Sequence, residues 1–204
     1  MTTVGIVIGT FGSDEWNDRG DQKKEACRTL LGVDNIIHVH GDNLARARNI
    51  GARNIGTDYI VFLDADDMLC YNYCDILKKN ILLGQNILYQ PQTIGWFEKT
   101  GAFVGAPEFI PDRNMSVSNN LVIGTAVPTS FCIEFDPVLP ALEDWDFFLR
   151  MILNGAKVKQ CPGMVYFVGL NENSRNSPTS GNHDTAYQII RRKNLNVSNY
   201  ILEP

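Results

Sequence analysis

The tightest constraint in this sequence is Thr57-Asp58-Tyr59-Ile60-Val61-Phe62-Leu63-Asp64-Ala65-Asp66-Asp67, where an unbroken apolar run leads straight into three carboxylates. Tyr59 to Leu63 has the length and the β-branched, aromatic make-up of a strand. A strand apolar on both faces needs a sheet covered on both sides. In extended chain Asp64 and Asp66 stand two apart and point to one side, with Asp67 turned away. Like charges this close repel unless a cation lies between them, and carboxylate oxygens suit Mg²⁺ or Mn²⁺ held together with substrate phosphates. An acidic cluster at a strand end also serves as a solvated turn, and Asp67 is read in that way, as N-cap of the next helix. For Asp64 and Asp66 the buried strand behind them favours a metal and nucleotide site, because ligands of open α/β sheets bind at the carboxyl ends of strands.

The first half alternates strand and helix. Val4 to Thr10 reads as a buried strand, followed by a loop of small residues, Thr10-Phe11-Gly12-Ser13, that lets a ligand approach the backbone. Asp14 to Asp21 reads as irregular, Gln22 to Leu31 as a short helix stopped by Gly32, and Asn35 to His40 as a second strand. A helix capped by Asp42 or Asn43 runs to about Ile55, where Gly56 ends it, and another spans about Tyr71 to Leu83 after the acidic strand. This alternation predicts the α/β class, with a mostly parallel central sheet flanked by helices. Later strands are expected at Ile87 to Gln92, Ile94 to Phe97, Asn120 to Val127, Lys157 to Gln160 and Val165 to Val168, with no clear period over Lys99 to Ser118. Trp145, Phe148, Leu149 and Ile152 have the spacing of a packed helix face ended by Gly155, and Glu143 and Asp144 stand in its first turn. Asn171 to Asp184 reads as a mobile loop before a short helix at Thr185 to Lys193.

At 204 residues and 44% hydrophobic content the chain is expected to form one domain, residues 1–84 binding nucleotide and 85–170 carrying the acceptor and catalytic side. A net charge of -5 and a pI near 5.2 provide no long-range pull on nucleic acid or anionic membrane. Cys27, Cys70, Cys74, Cys132 and Cys161 lack regular spacing, and no signal peptide is apparent, so reduced thiols and a cytoplasmic location are expected. No apolar run approaches the roughly 20 residues of a membrane helix.

One cation stands out. On the helix from Asn43 to Ile55, Leu44, Ala47, Gly51 and Ile55 form a narrow apolar stripe, and Arg48 lies inside it. A core-facing arginine needs an anion: an aspartate at the neighbouring strand ends, or the phosphate of a bound nucleotide. Otherwise Arg48 snorkels past Leu44 to solvent.

Val4 to Phe11, Ala47-Arg48-Asn49 with Gly51, Tyr59 to Asp67, and Glu143-Asp144-Trp145-Asp146 with Leu149-Arg150 and Gly155 resemble, in order, the motifs of the family 2 glycosyltransferases, which have the GT-A fold. The resemblance covers about residues 4 to 170. It implies inverting transfer of a sugar from a nucleotide diphosphate donor, UDP being the commonest, to an acceptor hydroxyl with Mn²⁺ or Mg²⁺; the acceptor is left open. It also implies that Thr10 and Phe11 line the base, Gly12 and Ala65 belong to the donor site, Arg48 contacts the donor, Asp64 lies by the ribose and metal, Asp66 ligates the metal, and Asp144 is the general base. This chain departs from the pattern in two places. The acid expected directly after the second strand is replaced by His38-Val39-His40-Gly41, leaving Asp42 to read the base or to cap the helix. The metal histidine expected soon after Val168 is replaced by Leu170 and Asn171, so His183 is offered as metal ligand, or Arg175 as a cation on the diphosphate. His38 and His40 are taken as structural. Alternatives are a nucleotide-sugar-binding protein without turnover, a nucleotidyltransferase, and a haloacid-dehalogenase-like phosphatase, in which the first aspartate would follow the first strand.

Overall fold

The computed structural model describes residues 1–82, 86–97, 103–105, 119–169 and 182–193. The fold is α/β, with helices flanking two sheets that meet at the site. β1 (Val4–Phe11) is followed by α1 (Asp14–Cys27), β2 (Asn35–Gly41), α2 (Leu44–Asn54) and β3 (Tyr59–Leu63). β1 pairs in parallel with β2 on one side and β3 on the other. All of β3, and β1 up to Thr10, is buried. That is the condition for uninterrupted apolar strands, and each Ile or Phe removed from water here contributes about 1.5–3 kcal/mol. Two glycines bring α2 close to this sheet: a Cβ on Gly51 would lie 2.4 Å from Val7 Cγ1, and one on Gly9 2.8 Å from Arg48 Cγ. Asn43, and not Asp42, caps α2, its side chain accepting from the Arg46 amide.

The chain continues through β4 (Met68–Leu69), α3 (Tyr73–Asn80), β5 (Ile87–Phe97), β6 (Phe103–Gly105), β7 (Val127–Pro128), α4 (Glu143–Leu153), β8 (Lys157–Gly169) and α5 (Asn182–Lys193). β7 adds to β3 antiparallel, and the other strands form a second sheet in the order β4-β8-β5-β6, within which β5 and β8 are parallel. A bridge between Tyr89 and Ala126 joins the two sheets.

Several expected boundaries are corrected. α1 begins at Asp14, where an irregular stretch was expected; of its residues only Gly20 and Cys27 are buried, so it carries no apolar stripe. β5 and β8 each join two expected strands, with a register shift between Pro91 and Thr93 marking the break. Of Asn120 to Val127, only Val127 lies in a strand; Leu121 and Ile123 are buried without forming a ladder. The helix expected from Tyr71 begins at Tyr73, which leaves Asp67 well outside it. Leu170, Asn171 and Arg175 lie outside the described residues, as does most of the expected loop at 171–184.

Candidate functional site

The carboxyl end of β3 is a tight turn, closed by the Asp67 amide donating to the Asp64 carbonyl at 3.1 Å. The extended geometry expected for Asp64 to Asp66 is therefore replaced by a reversal that separates the roles of the three acids. Asp64 and Asp66 are half-buried, and Asp67 is buried. Asp67 does not cap a helix: its carboxylate accepts from the Tyr166 hydroxyl and from the Gly169 amide at 2.8 Å. It fastens the end of β8 to the end of β3. Burial first, then the charges of Asp64 and Asp66, push its carboxyl well above the usual carboxylate range.

Arg48 is buried at 2% exposure and does not snorkel. Its Nη2 donates to Asp64 Oδ1 and its Nη1 to Glu143 Oε1 at 3.0 Å. Of the two kinds of anion open to it, the fold supplies carboxylates. Burial alone would weaken its hold on the proton, but facing Asp64 and Glu143 outweigh that and keep it charged. The guanidinium rests over the Phe135 ring, 5.3 Å from its centroid. Phe135 in turn stacks on Phe147 at 4.0 Å and meets Phe62 edge-on at 4.9 Å. Next to Arg48, Asn49 bonds both the Phe135 carbonyl and amide, at 2.9 and 2.8 Å, and so fixes that aromatic floor.

Glu143 is the site residue whose partner, Arg48, is not evident from the sequence. A buried arginine in one motif calls for a buried acid in another, and Glu143 opens the other acidic motif. The backbone enters α4 through Leu142 at φ 58°, a left-handed conformation unusual for a residue with a Cβ. Asp144 follows Glu143 and is half-buried, accepting from the Trp145 amide at 2.9 Å and from Asn119 Nδ2 at 3.1 Å. Burial, reinforced by Glu143 and more weakly by Asp64, pushes its carboxyl up to about 6 against the opposing fields of Arg48 and the Trp145 amide. Asp146, the last acid of the motif, is buried and structural, held by Arg150 Nε at 2.8 Å and Lys193 Nζ at 3.4 Å.

At the end of β1, Thr10 is buried, and its hydroxyl is shared by His38 Nε2 at 2.7 Å and His40 Nδ1 at 3.0 Å. Phe11 closes the strand half-buried, and Gly12 turns the chain at φ 90° with open space where a Cβ would stand. Asp42 lies on the surface, bonded to Arg46 at 2.7 Å. Ala65 sits buried in the acidic turn. Lys23 of α1 is half-buried; burial lowers its proton affinity, which Cys27 and then Asp67 and Asp66 partly offset.

Two half-buried carboxylates at a strand end fit Mg²⁺ or Mn²⁺, which take one or two protein carboxylates beside phosphate oxygens. Among the described residues no group of three His, Cys, Asp or Glu could hold a metal ion by itself. His183, near the start of α5, is therefore not gathered with Asp64 and Asp66 into a ligand set.

The sequence pattern described as glycosyl transferase family 2 matches residues 17–136, more than half of the chain. The chain belongs to that family. Glycosyltransferase GlyA of Streptococcus pneumoniae serotype 4 is 30% identical over 82 residues, which make up 39% of this chain and 11% of GlyA. Solved structures share the fold of this family member at low identity. S. aureus TarS 1-349 in complex with UDP-GlcNAc superposes with a TM-score of 0.64 at 15% identity, covering 99% of this chain and 68% of TarS 1-349. GalNAc-T7 with UDP, GalNAc and Mn²⁺ superposes with a TM-score of 0.57 at 14% identity, covering 94% of this chain and 48% of that one. The chain thus spans about a tenth of the curated relative, about half of GalNAc-T7 and about two thirds of TarS 1-349.

Proposed function

We propose that this chain is an inverting glycosyltransferase that moves a sugar from a UDP-sugar to an acceptor hydroxyl, with Asp144 as general base. The observation that carries this is Arg48. It bonds Asp64 at the end of β3 and Glu143 at the start of α4, and so brings the acidic turn and the candidate base into one cluster. A base must hold its proton weakly enough to be ionised at neutral pH and strongly enough to take one from a hydroxyl. An Asp144 carboxyl raised to about 6 meets both conditions. UDP as donor is supported by the nucleotide named with the TarS and GalNAc-T7 structures.

Each residue then has a task. Asp144 accepts the proton of the acceptor hydroxyl as that oxygen attacks the anomeric carbon. Arg48 holds Asp64 and Glu143 in place, and acts on the donor through Asp64. Asp66, with Asp64, would hold Mn²⁺ or Mg²⁺, which when bound supplies positive charge for the departing diphosphate. Thr10, Phe11 and Gly12 line the base, and Asp67 keeps β8 against the site. With five free thiols and, among the described residues, no helix long and apolar enough to cross a membrane, a cytoplasmic setting suits the proposal.

The phosphatase alternative loses its basis, since Asp64 follows the third strand and is engaged by Arg48. The test is thermal unfolding with UDP, CDP, GDP and UDP-sugars, each with Mn²⁺, Mg²⁺ or chelator, because a ligand that binds only the folded chain raises its stability. Metal-dependent stabilisation by UDP is expected. No stabilisation of folded protein by any nucleotide would sink the proposal, and UDP binding without release of UDP from any UDP-sugar would favour a binding protein without turnover.

A further inference from the structure

Beneath the end of β1 runs a chain of hydrogen bonds of which the roles above use only Thr10, placed beside the base. Asp21 Oδ1 meets His38 Nδ1 at 2.8 Å, His38 Nε2 meets Thr10 Oγ1 at 2.7 Å, and Thr10 Oγ1 meets His40 Nδ1 at 3.0 Å. The His38 side chain is 5% exposed and Asp21 is 67% exposed. α1 presses on the relay from one side: a Cβ on Gly20 would lie 2.1 Å from His38 Nε2. His40 is half-buried and sits opposite Thr10 in the parallel register, one residue before the end of β2.

Proton counting along this chain has one self-consistent solution for neutral rings. An ionised carboxylate only accepts, so Asp21 takes the proton of His38 Nδ1, and His38 Nε2 is left as an acceptor. The single Thr10 proton is therefore donated to His38 Nε2. Thr10 Oγ1 then meets His40 Nδ1 with lone pairs alone, so His40 must donate from Nδ1. In a neutral imidazole the other nitrogen is then an acceptor. The relay starts at a surface carboxylate and ends by fixing His40 Nε2 as a lone pair, at the carboxyl end of β2 beside the strand from which the order β2-β1-β3 diverges. Ligands of open α/β sheets bind at such a point.

Resting on the donor proposal above, we propose that His40 reads the nucleobase, accepting through Nε2 the imide N–H of uracil in place of a carboxylate. Thr10, His38 and Asp21 are positioning residues that hold His40 in the accepting tautomer. Uracil offers an N–H between two carbonyls; cytosine offers a lone pair at the same ring position and is rejected.

The test is calorimetric binding of UDP, CDP and N3-methyl-UDP, with Mn²⁺, to the full chain, its His40→Leu, His40→Asp and Asp21→Ala variants. It is read together with long-range ¹⁵N spectra of labelled histidine in the wild type. Wild type is expected to prefer UDP over N3-methyl-UDP by about tenfold, as for one hydrogen bond with its desolvation cost. His40→Leu abolishes that preference, His40→Asp restores it, and Asp21→Ala, a change at an exposed side chain, reduces it severalfold. The spectra are expected to show His40 protonated on Nδ1. A preference unchanged in His40→Leu, or His40 protonated on Nε2, overturns the inference while the donor proposal stands. Failure of folded wild type to bind any nucleotide diphosphate overturns both.

Discussion

The sheet β2-β1-β3 and the sheet β4-β8-β5-β6 are built by different rules. In the first, β1 and β2 are each followed directly by a helix and β1 pairs in parallel with β2 and β3, so local pattern determines this part of the architecture, to which β7 adds one short antiparallel edge. In the second, β5 and β8 run parallel although separated by β6, β7 and α4, and short antiparallel pieces fill the edges. Besides one shared apolar core, two polar joints that are long in sequence connect the two halves. Asp67 is 99 residues from Tyr166, and Arg48 is 95 from Glu143. Under the proposed function the first sheet supplies the donor side, and later parts of the chain bring to it Glu143 and Asp144 of α4 and the Tyr166 hydroxyl of β8. A buried charge is costly unless it is paired, so each polar joint also specifies how the halves dock.

If the halves divide their labour in this way, removing the base should spare the donor side. Asp144→Asn is expected to lower transfer by about 10³- to 10⁴-fold while UDP affinity stays within about twofold, as measured by UDP release and calorimetry. Arg48→Ala attacks the joint itself, leaving Glu143 buried without its cation. Thermal and denaturant unfolding should show a loss of about 3–5 kcal/mol, and Arg48→Lys should recover little of it, since an ammonium cannot span both carboxylates as the planar guanidinium does.

The Asp144 carboxyl sharpens the comparison through pH. Its folded value of about 6 lies above the ordinary 3.8. Between these values the folded chain therefore binds more protons than the unfolded chain, and its stability falls as pH rises from about 4 to 6. Activity moves the opposite way, rising through pH 6 as the base ionises. A pH–rate profile should show that acid limb, and Asp144→Asn should flatten the stability trend. Tyr166→Phe loosens the second joint and should cost about 1–3 kcal/mol, because the Asp67 carboxylate stays buried with one donor fewer. At the surface, Asp42→Ala removes only an exposed pair with Arg46 and should change stability by less than about 0.5 kcal/mol.

Legibility in the sequence follows the same division. β1, β2, β3 and α2 could be read because apolar period and stop residues are local signals, and Arg48 stood out as a cation within an apolar stripe. α4 showed its packed face through Trp145, Phe148 and Leu149, but its left-handed entry at Leu142 and the inward turn of Glu143 are consequences of docking. Asp67 reads as a cap from sequence because its partners, Tyr166 and Gly169, lie about a hundred residues away. The first half of α1, Asp14 to Asp21, is hidden for the opposite reason: a polar surface helix packing through Gly20 leaves no apolar signature. The two histidines of β2 were seen on one face, yet their meaning depends on Thr10 in the neighbouring strand and Asp21 in α1.

The most direct measurement compares UDP release from a panel of UDP-sugars by wild type and Asp144→Asn, with UDP affinity determined for both under the same Mn²⁺ concentration. The account predicts release by the wild type, release lost in the variant, and matching affinities. Affinity and release falling together in Asp144→Asn, or release persisting in it, would contradict the claim that the second half of the molecule brings the base to a donor site built by the first.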